Sequence, residues 1–287
     1  GKIVVVLCDF NMVMILNIIS YINHNPKEIL TIELMRHITL NSIRSFNKQF
    51  RTKYGELVLC CDSNSYWRRD YFPYYKAGRK KSREKSKIDW KFIFDTLDVL
   101  RSEFKEKLTY KMVTVEGAEA DDVIAVLAKS FYKQEPILIL SSDKDFVQLQ
   151  KYPNIKQYNP LFKRFVSVAD PTAFTKEHII RGDSGDGIPN ILSADDEFVK
   201  GERQKSINTN KLIEWMEQDP SVFCVTDVMQ SGYDRNRTLI DFDQIPLEIQ
   251  KRILQEFKTP KSVSKVDLLS YFMETRLDQL AAVINEF

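Results

Sequence analysis

Three short apolar runs punctuate the chain: Ile3 to Leu7, Leu57 to Cys61, and Ile137 to Leu140. Each is continuous rather than alternating, the pattern of strands buried on both faces of a mainly parallel sheet. Between them apolar residues recur at helical spacing. Ile32 to Phe50 carries Leu34, Ile38, Ile43 and Phe46, and Trp90 to Phe104 carries Ile93, Phe94, Leu97, Leu100 and Phe104. Ala118 to Phe131 places Val123, Val126, Leu127 and Phe131 on one face. Strands alternating with helices predict an α/β fold with a mainly parallel central sheet flanked by helices. "VTVEG", Val113 to Gly117, predicts a fourth, shorter strand. The N-terminal apolar stretch could be compared with a signal sequence. Asp9 and Asn11 interrupt its centre, however, so a buried strand followed by a helix is expected there.

After about Asn159 strand-like runs become rare. Helical patterns take over at Thr175 to Ile180, Asn208 to Glu217, Leu247 to Phe257, and Val266 to the C-terminus. This change of texture divides the chain near residue 165 into an α/β region, 1–165, and a mostly α-helical region, 166–287. Ser193 to Asn210 is polar and reads as a long loop. The four cysteines (Cys8, Cys60, Cys61, Cys224) show no C-x-x-C spacing. Cysteines set mostly in apolar runs are expected to be reduced core residues of a cytoplasmic protein, not a zinc site.

Each of the three best strands ends in an aspartate: Asp9, Asp62 and Asp143. One such acid alone reads more readily as a helix cap or turn residue. Three at equivalent strand ends would converge on the crevice where open parallel sheets bind ligands. The helix opening "GAEADDVIAVL" adds Glu119, Asp121 and Asp122, although first-turn acids also complement the helix dipole. "SSDKDF" adds Asp145, and "RGDSGDGIPN" adds Asp183 and Asp186 among Gly185 and Gly187. That glycine-rich stretch reads either as a phosphate-binding loop or as an Asx-turn. Like charges pooled in one pocket raise one another's pKa, and hard divalent cations with oxygen ligands resolve the conflict. Two such cations about 3.5–4 Å apart would suit phosphodiester hydrolysis. The three histidines, His24, His37 and His178, are taken to lie away from these motifs.

The net charge of +2 conceals a strongly basic segment that follows Asp62. Tyr66, Trp67, Tyr71, Phe72, Tyr74 and Tyr75 are interleaved or followed by Arg68, Arg69, Lys76, Arg79, Lys80, Lys81, Arg83, Lys85 and Lys87. A run of charge can be only a solvated face. Cations that track phosphates, with rings that stack on bases, are also what single-stranded nucleic acid requires. A basic segment beside an acidic pocket can draw in a polyanion that the pocket alone would repel.

Taken in order, "SYWRRDYFPYYK", "AEADDVIAVL", "SSDKDF", "KYPNIKQ" and the terminal "INEF" resemble the 5′-nuclease superfamily. That superfamily comprises flap endonucleases, the 5′-nuclease domains of bacterial DNA polymerases and phage 5′→3′ exonucleases. Within it the chain is most similar to the RNase H group of T-even bacteriophages, along nearly its whole length. The resemblance implies a PIN-like catalytic core at 1–165 with a helical arch at about 63–90. It also implies a DNA-binding region at 166–287, with a helix–three-turn–helix element starting at "GDSGDGIPN". It implies a 5′→3′ exonuclease and flap endonuclease with RNase H activity, dependent on two Mg²⁺ ions that Mn²⁺ can replace.

By this resemblance Asp9, Asp62, Glu119, Asp121, Asp122 and Asp143 surround the first metal, and Asp145, Asp183 and Asp186 the second. Lys76 and Arg79 act on the scissile phosphate, and Tyr75 stacks on a base. Tyr66, Trp67, Arg68, Arg69, Lys80, Lys81, Arg83, Gly185 and Gly187 complete the expected nucleic-acid surface. The implied substrates are DNA and RNA–DNA hybrids with a 5′ flap or single-stranded 5′ end. The implied role is removal of RNA primers from lagging-strand fragments in phage replication. A single-strand-binding protein and a sliding clamp are the implied partners of a monomer in the host cytoplasm, with no membrane involved. One departure stands out. Many relatives follow I-P-N with a compact glycine turn, whereas here "ILSADDEFVK" intervenes before "GERQKS".

Two other readings remain. A PIN-type single-strand RNase is disfavoured by the basic arch and the long C-terminal half. A catalytically silent branched-DNA binding protein is disfavoured by the full set of acids, which such a binder has no use for.

Overall fold

The computed structural model describes residues 5–287, so Ile3 and Val4 of the first expected strand lie outside the described residues. Strand β1 (Val5–Asp9), buried along its whole length, runs directly into helix α1 (Phe10–His24). Next come α2 (Ile32–Tyr54), β2 (Glu56–Cys60), α3 (Trp67–Tyr71), α4 (Arg79–Glu84) and α5 (Trp90–Lys107). They are followed by β3 (Lys111–Val113), α6 (Ala120–Phe131), β4 (Ile137–Leu140), β5 (Ile155–Asn159) and β6 (Arg164–Val166). The helical region holds α7 (Pro171–Arg181), α8 (Thr209–Met216), α9 (Pro220–Phe223) and α10 (Asp227–Ile240). It ends with α11 (Leu247–Lys258), α12 (Lys265–Glu274) and α13 (Asp278–Ala281).

The strands form one sheet in the order β3-β2-β1-β4-β5-β6, parallel except for the antiparallel β5–β6 pair. Alternate residues of the central strands face opposite layers, which explains why their apolar runs are continuous. Val6, Cys8, Leu57, Leu59, Leu138 and Leu140 pack with α1, α2 and α5. Val5, Leu7, Val58, Cys60, Ile137 and Ile139 pack with α6 and with Ile249, Ile253 and Phe257 of α11. Leu268, Tyr271, Phe272, Leu280 and Phe287 complete the first layer, so the end of the chain is built into the core of its beginning. All four cysteines are buried and free. Among the described residues no helix is long and apolar enough to cross a membrane.

The fourth expected strand is shifted: β3 covers Lys111–Val113, not Val113 to Gly117. The chain leaves the sheet because Gly117 turns with a φ of 86° and forms an isolated bridge with Tyr66 instead. β5, β6 and α10 were not anticipated. β5 carries Lys156, Gln157 and Asn159, and α10 buries Arg235 and Asn236, so neither shows a clean apolar period. Successive strands run outward from β1 in both directions, to β2 and β3 on one side and to β4 and β5 on the other. That reversal opens a crevice beyond the carboxyl ends of β1 and β4.

Candidate active site

The crevice is a cleft of about 650 Å³ lined by Asp9, Asp62, Glu119, Asp121, Asp143 and Asp186, with Tyr66, Arg69, Lys76, Arg79, Lys80 and Arg83 around it. β1 delivers Asp9, which is 3% exposed and accepts a hydrogen bond from Ser141 Oγ at 2.8 Å. Asp62, just past β2, accepts from the Ala120 N–H at 2.7 Å, and its carbonyl accepts from Arg101. Asp143 caps the 3₁₀ helix Lys144–Lys151 by accepting from the Asp145 N–H at 2.9 Å. Asp121 accepts no hydrogen bond and joins no ion pair among the described residues.

Crowding these groups out of water has the expected electrostatic result. Burial, reinforced by Asp62 and Asp143, pushes Asp9 well above the usual carboxylate range. Burial and the charges of Asp143, Asp9 and Glu119 do the same to Asp121. Burial likewise raises Asp62, Asp143 and Asp186, and with the Asp143 charge it lifts Asp145 to about 8. Ligand atoms of Asp121, Asp143 and Asp145 lie within 4.8 Å of one another, and so do those of Asp145, His178 and Asp183. Asp145 therefore belongs to both groups. Carboxylates crowded until most are raised, as Asp121, Asp143 and Asp145 are, form a donor set that hard divalent cations satisfy.

Glu119 behaves differently. It accepts from Arg68 Nη1 and Lys76 Nζ, both at 2.7 Å, and from the Tyr75 hydroxyl at 3.0 Å. Burial would raise its pKa, but Arg68 and Lys76 hold it below the usual range. Lys76 adopts a φ of 55°, and its main-chain N–H donates to the Asp186 carbonyl at 2.8 Å. Burial opposes its charge, yet Glu119, Asp186 and Asp121 outweigh that effect and keep the ammonium protonated. Arg79 Nη2 lies 2.6 Å from Asp186 Oδ1.

Several expected residues are placed elsewhere. Asp122 is fully buried and accepts from Trp67 Nε1 at 3.1 Å and Arg68 Nη1 at 3.0 Å. It also accepts from the Glu119 N–H at 2.9 Å, closing a capping box, so its oxygens are committed away from the cleft. Arg68, expected on nucleic acid, is 2% exposed and is bound by Glu119, Asp122 and the Leu239 carbonyl. Burial works against its charge, and the two carboxylates more than compensate. The Trp67 ring lies under the Arg68 guanidinium at 4.5 Å and packs on the core. Tyr75 is 3% exposed, too enclosed to stack on a base. Lys81 is exposed on α4, outside the cleft lining.

The loop after α7 carries the remaining acids. Gly182 ends the helix, Asp183 and Ile188 pair across the loop, and Ser184–Asp186 form a single 3₁₀ turn. Gly187 is left-handed with a φ of 74°, and a Cβ there would lie 3.0 Å from the Tyr74 carbonyl. Gly185 is exposed at the turn, where a Cβ would meet Asp183 Oδ1 at 3.3 Å. The intervening segment folds back on this loop: Asn190 donates to the Lys205 carbonyl at 2.6 Å, and Ser193 Oγ accepts from the Lys205 N–H at 3.2 Å.

The residue that sequence reasoning missed is His178. Far from lying apart, it places Nδ1 3.3 Å from Asp145 Oδ1 and Nε2 3.0 Å from Asp183 Oδ2. Its hydrogen bond is the main cause holding Asp183 below the usual carboxylate range. The available signal was its place in the last turn of a helix that ends at Gly182, immediately before Asp183.

Residues 24–180 match the family model described as "5'-3' exonuclease, N-terminal resolvase-like domain", and residues 172–287 match the one described as "T4 RNase H, C terminal". The Ribonuclease H of Enterobacteria phage T4 is 36% identical over 294 residues, covering 98% of this chain and 95% of that protein. The flap endonuclease Xni of Shewanella oneidensis is 33% identical over 134 residues, 44% of this chain and 48% of that one. Among solved structures, the T5 D15 protein co-crystallised with metal ions superposes with a TM-score of 0.61 at 17% identity, over 88% of this chain and 97% of that one. The bacteriophage T5 D15 flap endonuclease in a pseudo-enzyme–product complex with DNA and metal ions gives 0.60 at 18%, over 89% and 99%. At such identities these two show a common fold.

Proposed function

The chain belongs to the 5′-3′ exonuclease family, with a C-terminal region of the T4 RNase H type, and we propose that it hydrolyses phosphodiesters near the 5′ ends of RNA–DNA and DNA duplexes with two divalent cations, Mg²⁺ foremost. It is a nuclease and hence a hydrolase, which sets aside a catalytically silent DNA-binding protein. The match of both family models, along nearly the whole chain, sets aside a single-domain PIN-type RNase.

One observation carries the reading. Asp9, Asp62, Asp121 and Asp143 meet beyond adjacent parallel strands, each raised by burial, with Lys76 beside them. Asp9, Asp62, Asp121 and Asp143 would hold one cation, and Asp145, Asp183 and Asp186 the other. When bound, such cations supply Lewis-acid polarisation and a water of lowered pKa. The chain's own residues do the rest. Lys76, cationic and fixed by Glu119, presents positive charge at the cleft where a scissile phosphate would sit. Arg79 can exchange Asp186 for a phosphate oxygen, and Lys80 and Arg83, which line the cleft, would meet the phosphates of a 5′ strand entering it. Primer RNA on lagging-strand fragments is the biological substrate that fits this specificity.

The test is cleavage of a 5′-flap duplex and an RNA–DNA hybrid, with and without Mg²⁺, beside Asp143→Asn. Cleavage that requires the cation and falls by about 10²-fold or more in the variant is expected. Tight flap binding with no cation-dependent cleavage would refute the substrate and cofactor assignment.

A further inference from the structure

Among the described residues, His178 is the one nitrogen ligand grouped with these carboxylates, and its position is specific. The imidazole stands between two carboxylates, with Nδ1 facing Asp145 Oδ1 at 3.3 Å and Nε2 facing Asp183 Oδ2 at 3.0 Å. The ligand atoms of all three residues lie within 4.8 Å of one another, the spacing of donors around one ion. α7 holds the ring from below, with Phe174 one turn earlier at a centroid distance of 6.2 Å. A cation that reaches Asp145 and Asp183 together has to enter the gap the ring spans. One ring nitrogen on the cation, with the other still bonded to a carboxylate, satisfies every group at once, as in carboxylate–histidine–metal arrangements.

We propose that His178 is a ligand of the second cation, which makes that site a mixed nitrogen–oxygen centre favouring first-row transition cations over Mg²⁺. The inference rests on the two-cation reading given above. Oxygen-only sites suit Mg²⁺, whereas imidazole suits the softer divalent ions, so one histidine biases one of two neighbouring sites. Asp121 and Asp143, with no histidine in their group, leave the first site to hard cations.

Pulsed EPR of the intact chain loaded with Mn²⁺ tests this directly. Two equivalents of Mn²⁺ are expected, with ¹⁴N modulation from a directly bound imidazole. His178→Gln should abolish the modulation, while His24→Gln, changing a histidine outside the cluster, should leave it intact. Calorimetric titration should show Co²⁺ affinity at one site falling about tenfold or more in His178→Gln, with a smaller change for Mg²⁺. Circular dichroism establishes that the variant is folded. Two bound Mn²⁺ without nitrogen modulation, or modulation that survives His178→Gln, would overturn the proposal and leave the two-cation reading standing. A single equivalent of Mn²⁺ that Asp145→Asn does not alter would overturn that reading, and the proposal with it.

Discussion

Asp121 displays the electrostatics of the cleft most simply, because nothing but burial and its neighbours' charges acts on it. Its neighbour Asp122 sits one residue away and is neutralised by Arg68, as Glu119 is. Helix geometry produces the difference: residues three apart share a face, so Glu119 and Asp122 turn together toward Arg68 and Asp121 turns into the cleft. A carboxyl group whose folded pKa is raised binds more protons folded than unfolded. The fold therefore loses stability as pH rises through the ordinary aspartate range and up to the folded value, about 8 for Asp145. In EDTA the melting temperature is expected to fall from pH 5 to pH 8, and Mg²⁺ should restore more of it at pH 8. Asp121→Asn should melt higher than the parent chain in EDTA at pH 8, by ~2–4 °C for each kcal/mol gained, and the gap should narrow at pH 5. Thermal melts at the two pH values check this, and a variant less stable at pH 8 would show that the acids are not in mutual conflict.

Between the elements, Gly182 sets where the loop acids go. Its φ of 70° turns the chain out of α7, and an added Cβ would lie 2.4 Å from the Ile188 carbonyl and 2.5 Å from that of Pro189. Gly182→Ala should cost about 4 kcal/mol or more and displace Asp183 and Asp186 together. Gly201→Ala is the control, since Gly201 shares the left-handed φ, at 73°, but has open space around it, so only the ~1–2 kcal/mol of backbone strain should appear. Melting curves of the two variants separate the clash from the strain. The elements that carried apolar periods, such as α2, α5, α6 and the central strands, were legible in the sequence, and with them the convergence of Asp9, Asp62, Asp121 and Asp143. α10 was not, because its packed face uses Arg235 and Asn236 to satisfy the carbonyls of Ile179, Pro189 and Asn190. A buried polar face of that kind has no hydrophobic signature. The reverse error occurred at Arg68, Trp67 and Tyr75, whose types suit nucleic acid but which α3 and the turn after it direct inward onto Glu119 and Asp122. His178 reaches Asp145 only through the packing of α7 against the 3₁₀ helix, which no spacing along the chain records.

For the molecule as a whole, a formal net charge of +2 gives almost no long-range pull on a polyanion, so attraction has to come from how the charge is distributed. The acids are gathered in the cleft, and Lys76, Arg79, Lys80 and Arg83 line the same cleft, so the two signs of charge are set side by side there. Lys80 and Arg83 line the cleft, with the Arg83 guanidinium 4.4 Å from the Phe94 ring, while Lys81 is exposed outside that lining. Charge count alone would make the three equivalent; position does not. If the arch tracks phosphates, each lost contact should flatten the plot of log K against log salt by about 0.7 for a single strand and 0.9 for duplex. Replacing Lys80 and Arg83 together by Gln should therefore lower the slope by ~1.4–1.8, and Lys81→Gln should leave it nearly unchanged. Binding of a 5′-flap DNA over a series of NaCl concentrations, in EDTA to prevent cleavage, measures both. Equal slopes for the double variant and the parent would mean that the arch does not touch phosphate, and steering would then have to be sought on the helical half of the molecule.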